Sequence, residues 1–287
     1  MPIIDLDGIS TRYETTGEGP ALLMFSPGGF DSSLENWTSF GRYKDLGFVG
    51  ALSQRYTCIV FDRRESGQSG GRLERLSWSS YVTQALALLD HLGVDRAHTM
   101  GGCVGCSTAA ALAIAHPARV RSMVLFSPAG GYTYRAAQHL RFHRHLGFVH
   151  EHGLQAVVDL ARETGAGFSK DPRVGPWAAA LRNDDEFAAS YAATDLGRYT
   201  TILSGTSRLL FDRDTVPGLE PEDLAVLDVP ALVVPGEDGS HSRSAARHLQ
   251  ECLPDADYWD VPVAEQTPAA CQDRVLAFLD AHSTDPC

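Results

Sequence analysis

The sequence predicts an α/β fold: a doubly wound, mostly parallel sheet interrupted by a helical insertion. Three observations carry that expectation. Short apolar segments alternate with helical patterns over residues 1–130 and again over 216–287, the rhythm of parallel strands joined by crossover helices. A glycine-rich turn joins an apolar strand to a helix at residues 101–105. Between the two alternating stretches, residues 131–215 show helical patterns and no strand alternation. At 287 residues and 44% hydrophobic content, the chain is long enough to bury one large core.

Taken in order, segments 3–6 and 10–15 read as an antiparallel entry hairpin around Asp7-Gly8. Residues 21–25 form a buried strand ending at Ser26-Pro27-Gly28-Gly29-Phe30. Residues 56–61 form another, stopping at Asp62-Arg63-Arg64-Glu65-Ser66-Gly67-Gln68-Ser69-Gly70. A helix over 79–92 places Val82, Ala85, Leu86 and Leu89 on one face and ends at Gly93, a left-handed cap position. Strand 97–100, helix 108–116 and strand 121–126 follow. Inside the insertion, helices are expected over 139–161 and 177–191. Strand 229–235, helix 243–252, strand 258–261 and a closing helix over 268–281 complete the chain.

The turn between strand 97–100 and helix 108–116 holds the most chemistry. Gly101-Gly102-Cys103-Val104-Gly105 contains G-x-C-x-G, a nucleophile elbow with sulfur in place of oxygen. A sharp strand-to-helix turn strains its central residue and leaves no room for side chains at the flanking glycines. The N–H of Val104 is then free to point at an oxyanion, and the helix N-terminus favours a thiolate. Cys103 rather than Cys106 is therefore the expected reactive thiol. The C-x-x-C formed by Cys103 and Cys106 also permits redox chemistry or half a zinc site, but no second ligand pair accompanies it.

Bulk properties narrow the partners. A net charge of −12 argues against nucleic acid and anionic membrane surfaces, which attract basic patches. No apolar run reaches the length of a membrane span, and the N-terminus lacks a signal-like pattern. The six cysteines are scattered without a disulfide-scaffold spacing, so a reducing cytoplasm is the expected location. A small molecule is the expected partner, no cofactor or metal is expected, and nothing in the sequence specifies an oligomeric state.

Together these pieces resemble the α/β-hydrolase superfamily over nearly the whole chain. The resemblance rests on Pro27-Gly28-Gly29-Phe30, Asp62-x-x-x-x-Gly67-x-Ser69 and the elbow. It also rests on Ala115-His116-Pro117-x-Arg119-Val120 and on Pro230-x-Leu232-x-x-Pro235-Gly236-Glu237-Asp238. It implies a hydrolase core over 1–130 and 216–287, with 131–215 as a helical cap over the site. It also implies Cys103 as nucleophile, with an oxyanion hole made by the N–H of Val104 and of Gly29 or Phe30. The acid would follow the strand ending at Pro235. Asp238 is the candidate, one residue before the usual position, which Gly239 occupies; a solvated Glu237-Asp238 pair at a turn is the other reading.

The chain departs from the family at the histidine, which should follow strand 258–261. That region reads Trp259-Asp260-Val261-Pro262-Val263-Ala264-Glu265-Gln266, and no histidine lies between His248 and His282. Three replacements stand. His241 could act as base, oriented by Asp238, or could merely neighbour a helix cap. The insertion's histidines (His139, His143, His145, His150 and His152) could approach the elbow or form a half-exposed helix face. Asp260 could act directly as a base, which suits proton abstraction better than acyl transfer. Asp62-Arg63-Arg64-Glu65 could offer an arginine to an anionic substrate or use it to tie down the loop, and Trp37, Trp78, Trp177 and Trp259 are expected to be packing residues, Trp177 being the one best placed for ligand contact.

The leading functional expectation is a hydrolase or acyl transferase acting on an ester, thioester or lactone through Cys103. C–C bond hydrolysis or lyase chemistry, using the oxyanion hole to hold an enolate, is the alternative. A third reading is a catalytically degenerate hydrolase fold that binds a small molecule.

Overall fold

The computed structural model describes residues 2–283; Cys287 lies outside them. Eight strands form one sheet: β1 (Ile3–Leu6), β2 (Ile9–Thr16), β3 (Ala21–Phe25), β4 (Thr57–Phe61), β5 (Ala97–Gly102), β6 (Val120–Phe126), β7 (Ala231–Val234) and β8 (Ala256–Tyr258). Their spatial order is β1-β2-β4-β3-β5-β6-β7-β8. β1 and β2 are antiparallel, as the expected hairpin requires, and β2 meets β4 antiparallel. All later pairings are parallel. The expected fold class holds.

Strand order reverses direction between β3 and β5, which pair with Phe25 beside Gly101. Ligand crevices of open α/β sheets form at such a switch, beyond the carboxyl ends of the strands. Both Ser26-Pro27-Gly28-Gly29-Phe30 and Cys103 leave the sheet there. The loop after β4 braces this end. Asp62 is fully buried and accepts from Arg12 Nε (2.7 Å), from the Leu34 N–H (2.8 Å) and from the Gln68 N–H (2.7 Å).

The helix Gly105–Ala115 is almost entirely buried, because small residues (Ala109, Ala110, Ala113) let it lie close to the sheet. The helix Trp78–His91 covers it, capped by Ser77, whose side chain accepts the Ser80 N–H. Between β6 and β7 run the helices Tyr132–Thr164, Ala178–Asn183, Asp185–Ala192, Leu196–Leu210 and the short Pro221–Ala225. The first is longer than the expected 139–161 and is broken at Gly153 (φ 79°). The expected helix 177–191 is two helices, divided at Asp184, which caps the second.

Leu196–Leu210 was absent from the sequence expectation. Its Thr200, Thr201, Ser204, Gly205, Thr206 and Ser207 are weak helix formers. Tertiary burial of Tyr199, Leu203 and Leu210, with Asp195 accepting the Arg198 N–H, overrides that tendency. The stretch 36–52 likewise holds three short helices instead of irregular chain. No helix among the described residues is long and apolar enough to cross a membrane.

Candidate active site

Cys103 has φ of +55° in the left-handed region, at a cost of about 1–3 kcal/mol for a non-glycine residue. The turn is fixed on every side. The Cys103 N–H donates to the Phe126 carbonyl (3.2 Å), and its own carbonyl accepts from the N–H groups of Cys106 and Ala129 (both 3.2 Å). A side chain at Gly101 would overlap the Gly105 backbone, and one at Gly105 would overlap the Phe25 carbonyl. The two glycines of the motif are thus demanded by close backbone approach.

Cys106, one turn on, is fully buried, and its thiol donates to the Gly101 carbonyl (3.1 Å). Burial and the neighbouring Cys103 push its pKa well above the ordinary value. The five cysteines among the described residues are free thiols. No group of three or more potential metal ligands occurs among those residues.

The oxyanion side is built from Gly28 and Gly29, both at positive φ (118° and 63°). The Gly29 carbonyl accepts from Arg63 Nη2 (2.6 Å) and from the Ser32 hydroxyl (2.9 Å). In a trans peptide the N–H points opposite the carbonyl, so this pinning turns the Phe30 N–H away from Arg63. Val104 precedes the first turn of the elbow helix, where N–H groups have no intrahelical acceptor. Gly29, Phe30 and Val104 line one small cavity, together with Tyr134, Leu210 and Phe211 from the 131–215 segment.

His241 and Asp238 both lie in the loop after β7. His241 Nδ1 contacts both Asp238 carboxylate oxygens (2.9 and 2.8 Å), and the same carboxylate accepts the N–H groups of Ser240 (2.8 Å) and His241 (3.0 Å). The backbone is anchored next to the elbow. Gly130 bridges to His241 as a parallel pair, and its N–H donates to the Ser240 carbonyl (2.9 Å). A side chain at Gly236 would overlap the His241 Cβ. Capping of the next helix falls to Ser242, whose hydroxyl accepts the Ala245 N–H, leaving the imidazole to Asp238.

His241 Nε2 is buried and has no partner in complete hydrogen-bond geometry. The group facing it is the Cys103 thiol. Burial alone would lower the His241 pKa. Cys103, as hydrogen-bond partner and charge, and then Asp238 outweigh that effect and raise it to about 9. For Asp238, burial works upward, but the imidazole and the Ser240 N–H hold its pKa below the usual carboxylate value. The structure therefore brings Cys103, His241 and Asp238 together.

The other candidate bases lie elsewhere. Asp260 is half exposed and paired with Arg247 (2.6 Å). His139 is held by Ser207 and the Phe211 carbonyl, and His145 by the Arg173 carbonyl and Tyr199. Both are bonded within the helical segment. Trp177 is fully buried and donates to the Arg72 carbonyl (2.9 Å), so it packs, as expected of the four tryptophans.

Near the family's usual histidine loop, Gln266 donates to the carbonyls of Pro235 and Val261 (both 3.0 Å) and accepts from Arg42 (2.9 Å). A cavity of about 280 Å³ opens there, between Arg42, Tyr43, Ser127, Val263 and the His241-Asp238 pair. Arg42, Tyr43 and Ser127 were missed from the sequence. Ser127, at φ +50° in the strand-end Ser127-Pro128, was the readable signal.

Comparison with known proteins agrees with the fold. A family model described as the alpha/beta hydrolase fold matches residues 21–169. The dihydrolipoyllysine-residue acetyltransferase component of the acetoin cleaving system from Cupriavidus necator is 33% identical over 126 residues, 44% of this chain and 31% of that protein. The 2-hydroxy-6-oxo-6-phenylhexa-2,4-dienoate hydrolase of Comamonas testosteroni is 32% identical over 130 residues, 44% of this chain and 42% of that one. The chain thus spans less than half the length of these curated relatives. Among solved structures, the enol-lactonase from Burkholderia xenovorans LB400 superposes with a TM-score of 0.64 at 22% identity, over 97% of this chain and 100% of that one. That likeness concerns the fold.

Proposed function

Because the chain belongs to the alpha/beta hydrolase fold family, we propose that it hydrolyses or transfers the acyl group of an ester, thioester or lactone through a Cys103–His241–Asp238 triad. The observation that carries this reading is the buried Nε2 of His241 beside the Cys103 thiol, while Nδ1 is held by Asp238.

The steps follow from these positions. Cys103 gives its proton to His241 Nε2, and the resulting thiolate attacks the carbonyl carbon. The N–H groups of Val104 and of Phe30 or Gly29 receive the oxyanion. The tetrahedral intermediate collapses to a thioester as the imidazolium protonates the leaving group. Acylation also removes the sulfur charge that raises the His241 pKa, so the ring returns toward neutral. It can then take a proton from water, or from an acceptor hydroxyl or thiol, which attacks the thioester and regenerates Cys103. Asp238 stabilises the imidazolium at the positive stages.

Residues 131–215 act as the cap in this scheme, with 1–130 and 216–287 as the core. Phe142, Phe168 and Phe211 pack edge-on against Phe30, which supports a lid over the oxyanion side. A thiol nucleophile belongs in a reducing compartment such as the cytoplasm. Hydrolysis of a C–C bond is the second reading, favoured by the local similarity to the Comamonas testosteroni hydrolase. Incubation with 4-nitrophenyl acetate followed by intact-protein mass spectrometry tests the proposal. A single acetyl adduct mapping to Cys103 supports it; turnover with no adduct in wild type and none trapped in His241→Gln overturns the acyl-enzyme route.

A further inference from the structure

Tyr134 is buried, yet its hydroxyl makes no hydrogen bond with the described residues. It is the third residue of the helix Tyr132–Thr164, and the chain leading into that helix is tied to the elbow. The Ala129 N–H donates to the Cys103 carbonyl (3.2 Å), the Gly131 N–H to the Thr215 carbonyl (3.3 Å) and the Arg135 N–H to the Gly131 carbonyl (3.1 Å). The ring packs edge-on against Phe211, 5.9 Å between centroids. Tyr134 is therefore held relative to Cys103 by backbone, ahead of the break at Gly153.

Tyr134 shares one cavity with Gly29, Phe30 and Val104, whose N–H groups are the proposed oxyanion donors. That cavity offers about 10 Å³, room for a single oxygen atom. An oxyanion is one atom, so the space suits it and nothing larger. Burial, and next the charge of Cys103, push the Tyr134 pKa far above the ordinary tyrosine value, so the phenol keeps its proton and remains a donor. Tyr81 lines the same cavity, but its ring lies 4.2 Å from the Arg63 guanidinium, and the charges acting on it are those of Arg63, Glu65 and Arg64. A buried donor left without an acceptor is costly in a folded protein.

We propose that the Tyr134 hydroxyl is a third oxyanion donor, reaching from the cap segment to the carbonyl oxygen of the acyl group as Cys103 adds to it. The oxygen gains charge as the C–S bond forms and loses it as the carbonyl re-forms and the leaving group departs. The phenol donates a hydrogen bond throughout and keeps its proton. This deepens the acyl-transfer reading and rests on it for the acylation arm of the test.

Tyr134→Phe removes the hydroxyl and keeps the ring, and thermal unfolding checks that the variant is folded. Acylation of Cys103 by 4-nitrophenyl acetate in a single turnover should slow by about 10²-fold, the contribution of one oxyanion-hole donor. Alkylation of Cys103 by iodoacetamide develops no oxyanion and should stay within about twofold of wild type. Tyr81→Phe should change acylation by less than about threefold. Trifluoroacetone adds to a thiol without a leaving group, and fluorine NMR should show its Cys103 adduct at least about 10-fold weaker in Tyr134→Phe. Unchanged acylation in folded Tyr134→Phe, alkylation that falls in parallel, a larger effect of Tyr81→Phe, or no ketone adduct in wild type overturns the donor. If the ketone adduct depends on Tyr134 while 4-nitrophenyl acetate never acylates Cys103, the donor stands and the acyl-transfer reading falls.

Discussion

The two flanks of Cys103 are built on different terms. On the β3 side, Gly28 and Gly29 take positive φ, Gly101 and Gly105 hold backbone against backbone, and no substitution at the two elbow glycines fits without displacing the chain. On the β7 side, side-chain chemistry has moved. The proposed base, His241, sits on the same loop as its proposed acid, Asp238, three residues apart, and Gln266 ties down the loop that follows β8. Backbone geometry that creates an oxyanion hole has few alternative solutions. An imidazole can reach the same sulfur from any loop on the rim, provided an acid orients it. The difference teaches that triads are fixed by position and role more than by place in the chain.

Breaking the shared centre should have the largest effect. Cys103→Ala should abolish turnover in any assay that detects the wild-type enzyme, whereas loss of the β7-side base should leave residual activity from the oxyanion hole. His241→Gln should lower kcat by about 10²- to 10⁴-fold, the contribution expected of a positioned acid–base group. Near-normal kcat in that variant would remove His241 from the mechanism.

The same pair predicts a pH effect on stability. The folded His241 pKa is raised, from 6.5 to about 9, so its contribution is complete below about 6.5 and is lost as pH rises through about 9. Thermal unfolding from pH 6 to 10 should show the wild type losing its stability advantage over His241→Gln across that window. Parallel curves would contradict the pairing.

Asp238→Asn should be milder than His241→Gln, lowering kcat by about 10- to 100-fold through loss of ring orientation and imidazolium stabilisation. At the small end, Asp260→Asn should change kcat/KM by less than about twofold, because its partner is the surface Arg247. An Asp260 effect larger than that of Asp238 would reverse the assignment of the β7 flank.

The β3 flank was the more legible of the two in the sequence. Gly28-Gly29 and G-x-C-x-G report backbone constraints, and such constraints leave marks at fixed spacings. The strand rhythm was equally readable because buried parallel strands are short apolar runs, as β3 and β7 are. On the β7 flank, proximity of His241 to Cys103 depends on the Gly130–His241 bridge between two loops, a tertiary contact with no local signature. The helix Leu196–Leu210 was hidden for a related reason, since burial rather than propensity holds it.

The rate of Cys103 alkylation by iodoacetamide as a function of pH, followed by intact-protein mass spectrometry in wild type and His241→Gln, tests the central pairing most directly. If the imidazole faces the sulfur and holds its proton to about pH 9, wild type should react at least about 10-fold faster than the variant at pH 7. The two rates should converge above pH 9, as the imidazolium loses its proton. Superimposable curves over the whole range, or faster labelling of Cys106 than of Cys103, would contradict the account.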